Sequence, residues 1–160
     1  MGIKYVCRSG KAGRIIVARL MPESDLLLSL RRLTEDEDLK AGVILSGVGL
    51  LRKARLRNCK VLPEEYPITD LHRSFISFEK PLEILGLSGN VSDVEGKPWV
   101  HAHITLSSVN DGKVSVIGGH LIEGCIVFGF AEIILMELEN ISMKKEFDEE
   151  TKTLQLFVQK

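Results

Sequence analysis

Residues 101–120 read HAHITLSSVNDGKVSVIGGH, and the pairing of the two halves of this stretch decides how the centre of the chain folds. Asn110-Asp111-Gly112-Lys113 is a two-residue hairpin signal, because Asp-Gly tolerates the positive φ of a type I′ turn. With Asp111–Gly112 as the loop, Asn110 pairs with Lys113 and the numbers of paired residues sum to 223. His103 then lies opposite His120, and directly opposed residues project to the same face. Residues two apart on a strand share a side, which brings in His101, roughly 7 Å from His103 along the strand. The other side carries Val100, Ala102, Ile104 and Leu106, a core face. An extra residue at Gly118–Gly119 would shift this register. Without one, three of the chain's four histidines converge on one face of one ribbon.

Three neutral imidazoles suit Zn²⁺, or another divalent transition metal, at about 2.0–2.1 Å per bond, and leave a fourth position open. Water in that position can become hydroxide near neutral pH. His101, His103 and His120 are therefore the candidate metal ligands, and Glu123, close in sequence to His120, is the candidate carboxylate behind them. The plainer alternative is three unrelated histidines on a polar sheet face. His72 falls in a loop without a partner and reads as a surface residue.

Outward from the hairpin the chain is rich in strand signals. KYVCRSG and GRIIVARL read as two short strands around a glycine turn. In PESDLLLSLRRL, Ser24 or Asp25 caps a helix with an apolar face at Leu26, Leu27, Leu30 and Leu33. The polar TEDEDLK that follows reads as its frayed end and a loop. AGVILSGVGLLRKARLRNCKVL is mostly strand, PEEYPITDLH a loop, and RSFISFEKPLEILGLSGNVS two strands broken near Pro81. VEGKP is a turn, and GCIVFGFAEIILMEL is a strand apolar on both faces, fit for the middle of a sheet or a subunit interface. KKEFDEETKTLQLFV ends the chain with a turn at Asp148–Thr151 and a last strand. The expectation is one α+β domain over residues 1–160, a mainly antiparallel sheet with one main helix.

Composition narrows the class. The chain has 160 residues, 44% of them hydrophobic, and a net charge of −1, which argues against a dedicated nucleic-acid binder with an overall basic balance. Lys53, Arg55 and Arg57 share one strand face and are the candidate nucleic-acid contacts, although a solvated or charge-protected strand is the favoured reading. Three cysteines without metal-type spacing fit reduced thiols, with Cys125 as inert core. The N-terminus has no secretory h-region, Val6 breaks the myristoylation pattern, and no apolar run reaches about 18 residues. A cytoplasmic, membrane-free protein is expected. SGVG lacks the GK[ST] ending of a phosphate loop. Ser46, Ser88 and Ser107 sit in no nucleophile elbow. Trp99 reads as a packing residue with its indole N–H at a wet edge.

Several segments together resemble the plants-and-prokaryotes conserved (PPC) domain family. These are HAHITLSSVNDGKVSVIGGHLIEGCIVFGFAEIILMEL, PLEILGLSGNVS, AGVILSGVGLLRKARL and the final FDEET. The resemblance runs from about Gly13 to Phe157. It implies a compact α+β domain with a mainly antiparallel sheet, assembly as a homotrimer, and a metal held by the family's histidines, here His101, His103 and His120. Plant members join the domain to AT-hooks and act in transcription, and stand-alone prokaryotic members share a DNA-binding label. This chain has no Arg-Gly-Arg core of an AT-hook, and the plant Gly-Arg-Phe-Glu-Ile-Leu motif is Lys80-Pro81-Leu82-Glu83-Ile84-Leu85 here. The function expected is therefore a metal-containing regulatory or interaction protein, DNA-associated by family resemblance alone, whose pocket receives a small ligand or a partner side chain. The alternative is a metal-dependent enzyme acting on a small molecule through a zinc-bound water.

Overall fold

The structure, a computed structural model, describes residues 2–159. Its nine strands are β1 (Lys11–Leu20), β2 (Gly42–Cys59), β3 (Arg73–Phe78), β4 (Leu82–Val94), β5 (Lys97–Asn110), β6 (Lys113–Leu121), β7 (Ile126–Glu139), β8 (Ser142–Asp148) and β9 (Thr153–Gln159). One α-helix, α1 (Leu26–Asp36), lies between β1 and β2. The sheet runs β1-β7-β2-β6-β5-β4-β8-β9, with β3 also on β2. The pairings are antiparallel except for a parallel contact of β4 with β8 at Asp93↔Lys144. This is the mostly antiparallel, one-helix α+β architecture the sequence implies.

The 18-residue β2 organises the whole. Its first part pairs with β7 on one edge and with β4 on the other. Its last part, Ala54–Cys59, passes to β3, while Leu56 and Arg57 meet Leu121 and His120 of β6. Because β2 touches both β4 and β6, and β4-β5-β6 is itself continuous, the sheet closes on itself around that ring. Its inner face is one apolar cluster that includes Leu51, Leu56, Val91, Ile104, Leu106, Leu121 and Leu135.

α1 packs on β5 and β7. Leu26, Leu27 and Leu30 are buried, as the i, i+3, i+4 spacing dictates. Asp25 is the cap: one carboxylate oxygen accepts from Leu28 N at 3.0 Å and the other from Gly124 N at 2.6 Å. The helix ends at Asp36, so TEDEDLK is its last turn and the loop that follows. Thr34 and Leu39 are fully buried there, and Leu39 N donates to Thr34 O at 2.8 Å.

The N-terminal reading needs correction. Residues 2–10 form no strand, and the first strand starts at Lys11. Lys11 already pairs with Glu139, the last residue of β7, so KYVCRSG has no ladder to join. Strand propensity without a partner does not make a strand. Cys125 also lies just outside β7, fully buried, with burial raising its thiol pKa to about 11.

Candidate metal centre and its cavity

The hairpin is formed in the expected register. Asp111 and Gly112 take φ of 49° and 71°, and pairing runs without a shift from Asn110↔Lys113 to His103↔His120. Gly118 and Gly119 insert no bulge: they oppose Thr105 and Ile104 in regular order. The three imidazoles meet with ring centroids 5.0–5.5 Å apart. One nitrogen from each ring lies within 4.8 Å of the others. His120 Nδ1 and His103 Nε2 are 3.4 Å apart. Tetrahedral zinc with bonds of about 2.0–2.1 Å needs its ligand atoms about 3.3–3.4 Å apart, so this pair already stands at the spacing of two ligands.

The local environment keeps the rings of His101 and His120 in the form a metal binds. Burial, then the positive charge of Arg57, then the two neighbouring rings and Lys145 push the His120 pKa down to about 3. Burial, then Lys145, His103 and Arg57 lower that of His101. These rings are neutral near pH 7 and offer lone pairs.

Other strands bring residues that the hairpin alone does not reveal. Arg57 of β2 opposes His120 and so projects to the histidine face. Asn90 opposes His101, and Ser92 opposes Trp99. Asn90 Oδ1 and Ser92 Oγ are buried without a hydrogen-bond partner. An orphaned acceptor beside His101 fits a site that gains a polar occupant, so the donor set and its surroundings suit a divalent metal. The signal for Asn90 was in the sequence. Glu95–Gly96 is also a positive-φ two-residue turn, at 53° and 84°, and counting back from Val94↔Lys97 reaches Asn90↔His101. Gly89 is required there, because a Cβ at that position would stand 2.1 Å from His101 O.

Beside the cluster opens a cavity of about 420 Å³ whose lining includes His101, His120, Arg57, Lys145, Trp99 and Phe75. Glu123 also lines it, but its partner is Arg31, at 2.6 Å, and the Arg31 guanidinium lies 5.7 Å from the Trp99 ring centroid. Within the basic stripe, Lys53 pairs with Glu79 at 2.8 Å, Arg55 lies 5.8 Å from the Phe75 ring centroid, and Arg57 faces His120. Burial first, then Arg73, lowers the Arg57 pKa. His72 stands apart in the 3-10 turn Asp70–His72. Its Nδ1 accepts from Thr69 N at 3.0 Å.

Fold and site together define a self-closed β-sheet domain with an imidazole cluster at the side of a cationic cavity. The model of the Plants and Prokaryotes Conserved domain matches residues 7–139, and the chain belongs to that family. A metal-containing protein from Archaeoglobus fulgidus is 27% identical with TM-score 0.75, over 96% of this chain and 99% of that one. A plant- and prokaryote-conserved protein from Pyrococcus horikoshii is 28% identical with TM-score 0.75, over 94% and 96%. The chain is 34% identical over 146 residues to the bifunctional protein GlmU of Synechococcus sp. (strain JA-2-3B'a(2-13)). That match takes in 91% of this chain but spans about a fifth of the relative's length (20%). More distant solved relatives from Bacteroides thetaiotaomicron and Ralstonia eutropha carry provisional DNA-binding descriptions, and at 18% and 23% identity they show the fold alone. Among the described residues no helix is long and apolar enough to cross a membrane.

Proposed function

We propose that this chain is a metal-containing regulatory or interaction domain, in which His101, His103 and His120 hold one divalent transition metal, zinc by donor chemistry. The observation that carries this reading is the convergence of three imidazole nitrogens within 4.8 Å, with two of the rings held neutral by burial and nearby cations. The Archaeoglobus relative, described as metal-containing, supports it. When bound, the ion supplies a Lewis-acidic position for a ligand or a partner side chain. The chain's own residues orient the rings through the hairpin register and surround the site with positive charge.

The test is metal content per chain of untagged protein by elemental mass spectrometry. Near-stoichiometric metal in the wild type and its loss in His103→Ala support the reading. No uptake after reconstitution overturns it. A catalytic zinc water is the less favoured alternative, because general acid–base work needs an available group and Glu123, the cavity's one carboxylate, is engaged by Arg31.

Assembly as a homotrimer is proposed on the family resemblance and on exposed apolar residues. Phe128 is 58% exposed, and Val48 and Phe130 line one surface hollow. Light scattering on the purified chain checks it. A second reading, DNA contact through Lys53, Arg55 and Arg57, rests on the family resemblance and on the shared strand face of these three cations. Three phosphate contacts would give a slope of about −2.7 in log K against log salt. Retention of duplex affinity in the triple alanine variant would eliminate that reading.

A further inference from the structure

The cavity beside the histidines carries charge that the described residues do not balance. Arg31, Arg55, Arg57 and Lys145 line it against the single carboxylate of Glu123, which Arg31 already takes. Among the described residues no ion pair reaches Arg55, Arg57 or Lys145. Arg57 and Lys145 are half-buried, and a half-buried cation without a counter-charge is costly to keep. Apart from His101 and His120, the remaining walls are apolar and include the aromatic rings of Trp99 and Phe75. The volume, about 420 Å³, falls in the range that encloses a small molecule. A lining that combines these unpaired cations with aromatic and aliphatic surface is complementary to an amphipathic anion, and to neither a bare inorganic ion nor a neutral apolar compound.

We propose that this cavity is a seat for a small organic anion with a flat apolar body, such as an aromatic carboxylate, whose charge Arg57 and Lys145 take while Trp99 and Phe75 hold the body. The seat deepens the metal reading by naming a ligand class. It does not require the ion, because its charges and walls belong to the chain.

Trp99 is the chain's one tryptophan and lines the cavity, so its fluorescence reports occupancy. Metal-stripped and zinc-loaded protein are each titrated with benzoate, with benzamide and with inorganic phosphate. Benzoate is expected to give a saturable change in both metal states. Benzamide, its neutral counterpart, and phosphate, which lacks the apolar body, are expected to bind at least about tenfold more weakly. Arg57→Gln and Lys145→Gln are each expected to weaken benzoate about tenfold, while Arg19→Gln, on exposed β1 surface, leaves it unchanged.

No saturable response to benzoate overturns the proposal, as does equal binding of benzoate and benzamide or of benzoate and phosphate. The wild-type comparison of probes decides the matter even where a variant fails to fold. Benzoate binding that needs zinc and ignores both charge variants would overturn the anion seat while supporting the metal site. Charge-dependent binding by a chain that takes up no metal would support the seat while the metal reading fails.

Discussion

Replacing His103 with alanine separates metal binding from folding, because the ring is exposed and leaves no core cavity. Its removal from the metal-free protein should change stability by no more than about 0.5 kcal/mol. The zinc response should differ sharply. Free zinc at a hundred times Kd stabilises the native state by about 2.7 kcal/mol. The 160 residues of the chain, at about 2.1 cal/mol/K each, give an unfolding entropy of roughly 0.34 kcal/mol/K. The wild type should therefore gain about 8 °C in Tm. Loss of one of three imidazoles should cost at least the roughly 100-fold that loss of an outer partner of a metal ligand costs. At the same free zinc the variant then sits near its own Kd and gains only about 0.4 kcal/mol, or roughly 1 °C. The assay is scanning calorimetry of metal-stripped protein at buffered free zinc, with His72→Ala as a control that keeps the full shift. A wild type that does not respond to zinc would refute the reasoning, as would a His103→Ala protein that gains as much as the wild type.

Asp25→Ala removes the helix cap and the 2.6 Å bond to Gly124 N, so unfolding free energy should fall by about 2–3 kcal/mol, read from urea titration. Gly89→Ala places a Cβ against the backbone of His101 and Ala102. It should cost about 1–3 kcal/mol and lower metal content along with stability. Cys125, with its pKa raised to about 11 by burial, should resist alkylation at pH 8 in the native protein, while the exposed Cys7 and Cys59 react. The same shift has a stability sign. The folded state keeps the thiol protonated from its ordinary value of 9.0 up to about 11, while the unfolded chain ionises across that window. Stability is thus fully present below pH 9 and declines as pH rises toward 11, and Cys125→Ala should show a flatter alkaline limb in chemical denaturation.

How much was legible can be followed residue by residue. The Asp-Gly turn states its own conformation, and once it is placed, alternation fixes which residues oppose which, so His101, His103 and His120 could be brought together from sequence. The turn at Glu95–Gly96 carried equivalent information about Asn90 and Ser92. The helix was marked by its leucine spacing and its cap, whereas the buried Thr34 and Leu39 were hidden in a polar run because their burial depends on what the helix packs against. KYVCRSG looked like a strand and is not one, since pairing needs a partner edge and β7 has ended at Glu139.

The sequence by itself determined the helix, the hairpin register, the histidine face and the strands beyond the N-terminal segment, all properties of chain segments joined by short turns. Tertiary structure alone decided that β2 closes against both β4 and β6 and sets Arg57 opposite His120. It also decided that Lys145 reaches the same cavity from β8. Alternation tells which side of a strand a residue faces but not which distant strand lies beside it. That choice is made by burial of the whole apolar face at once, and so the charge around the histidines appears only when the sheet has closed.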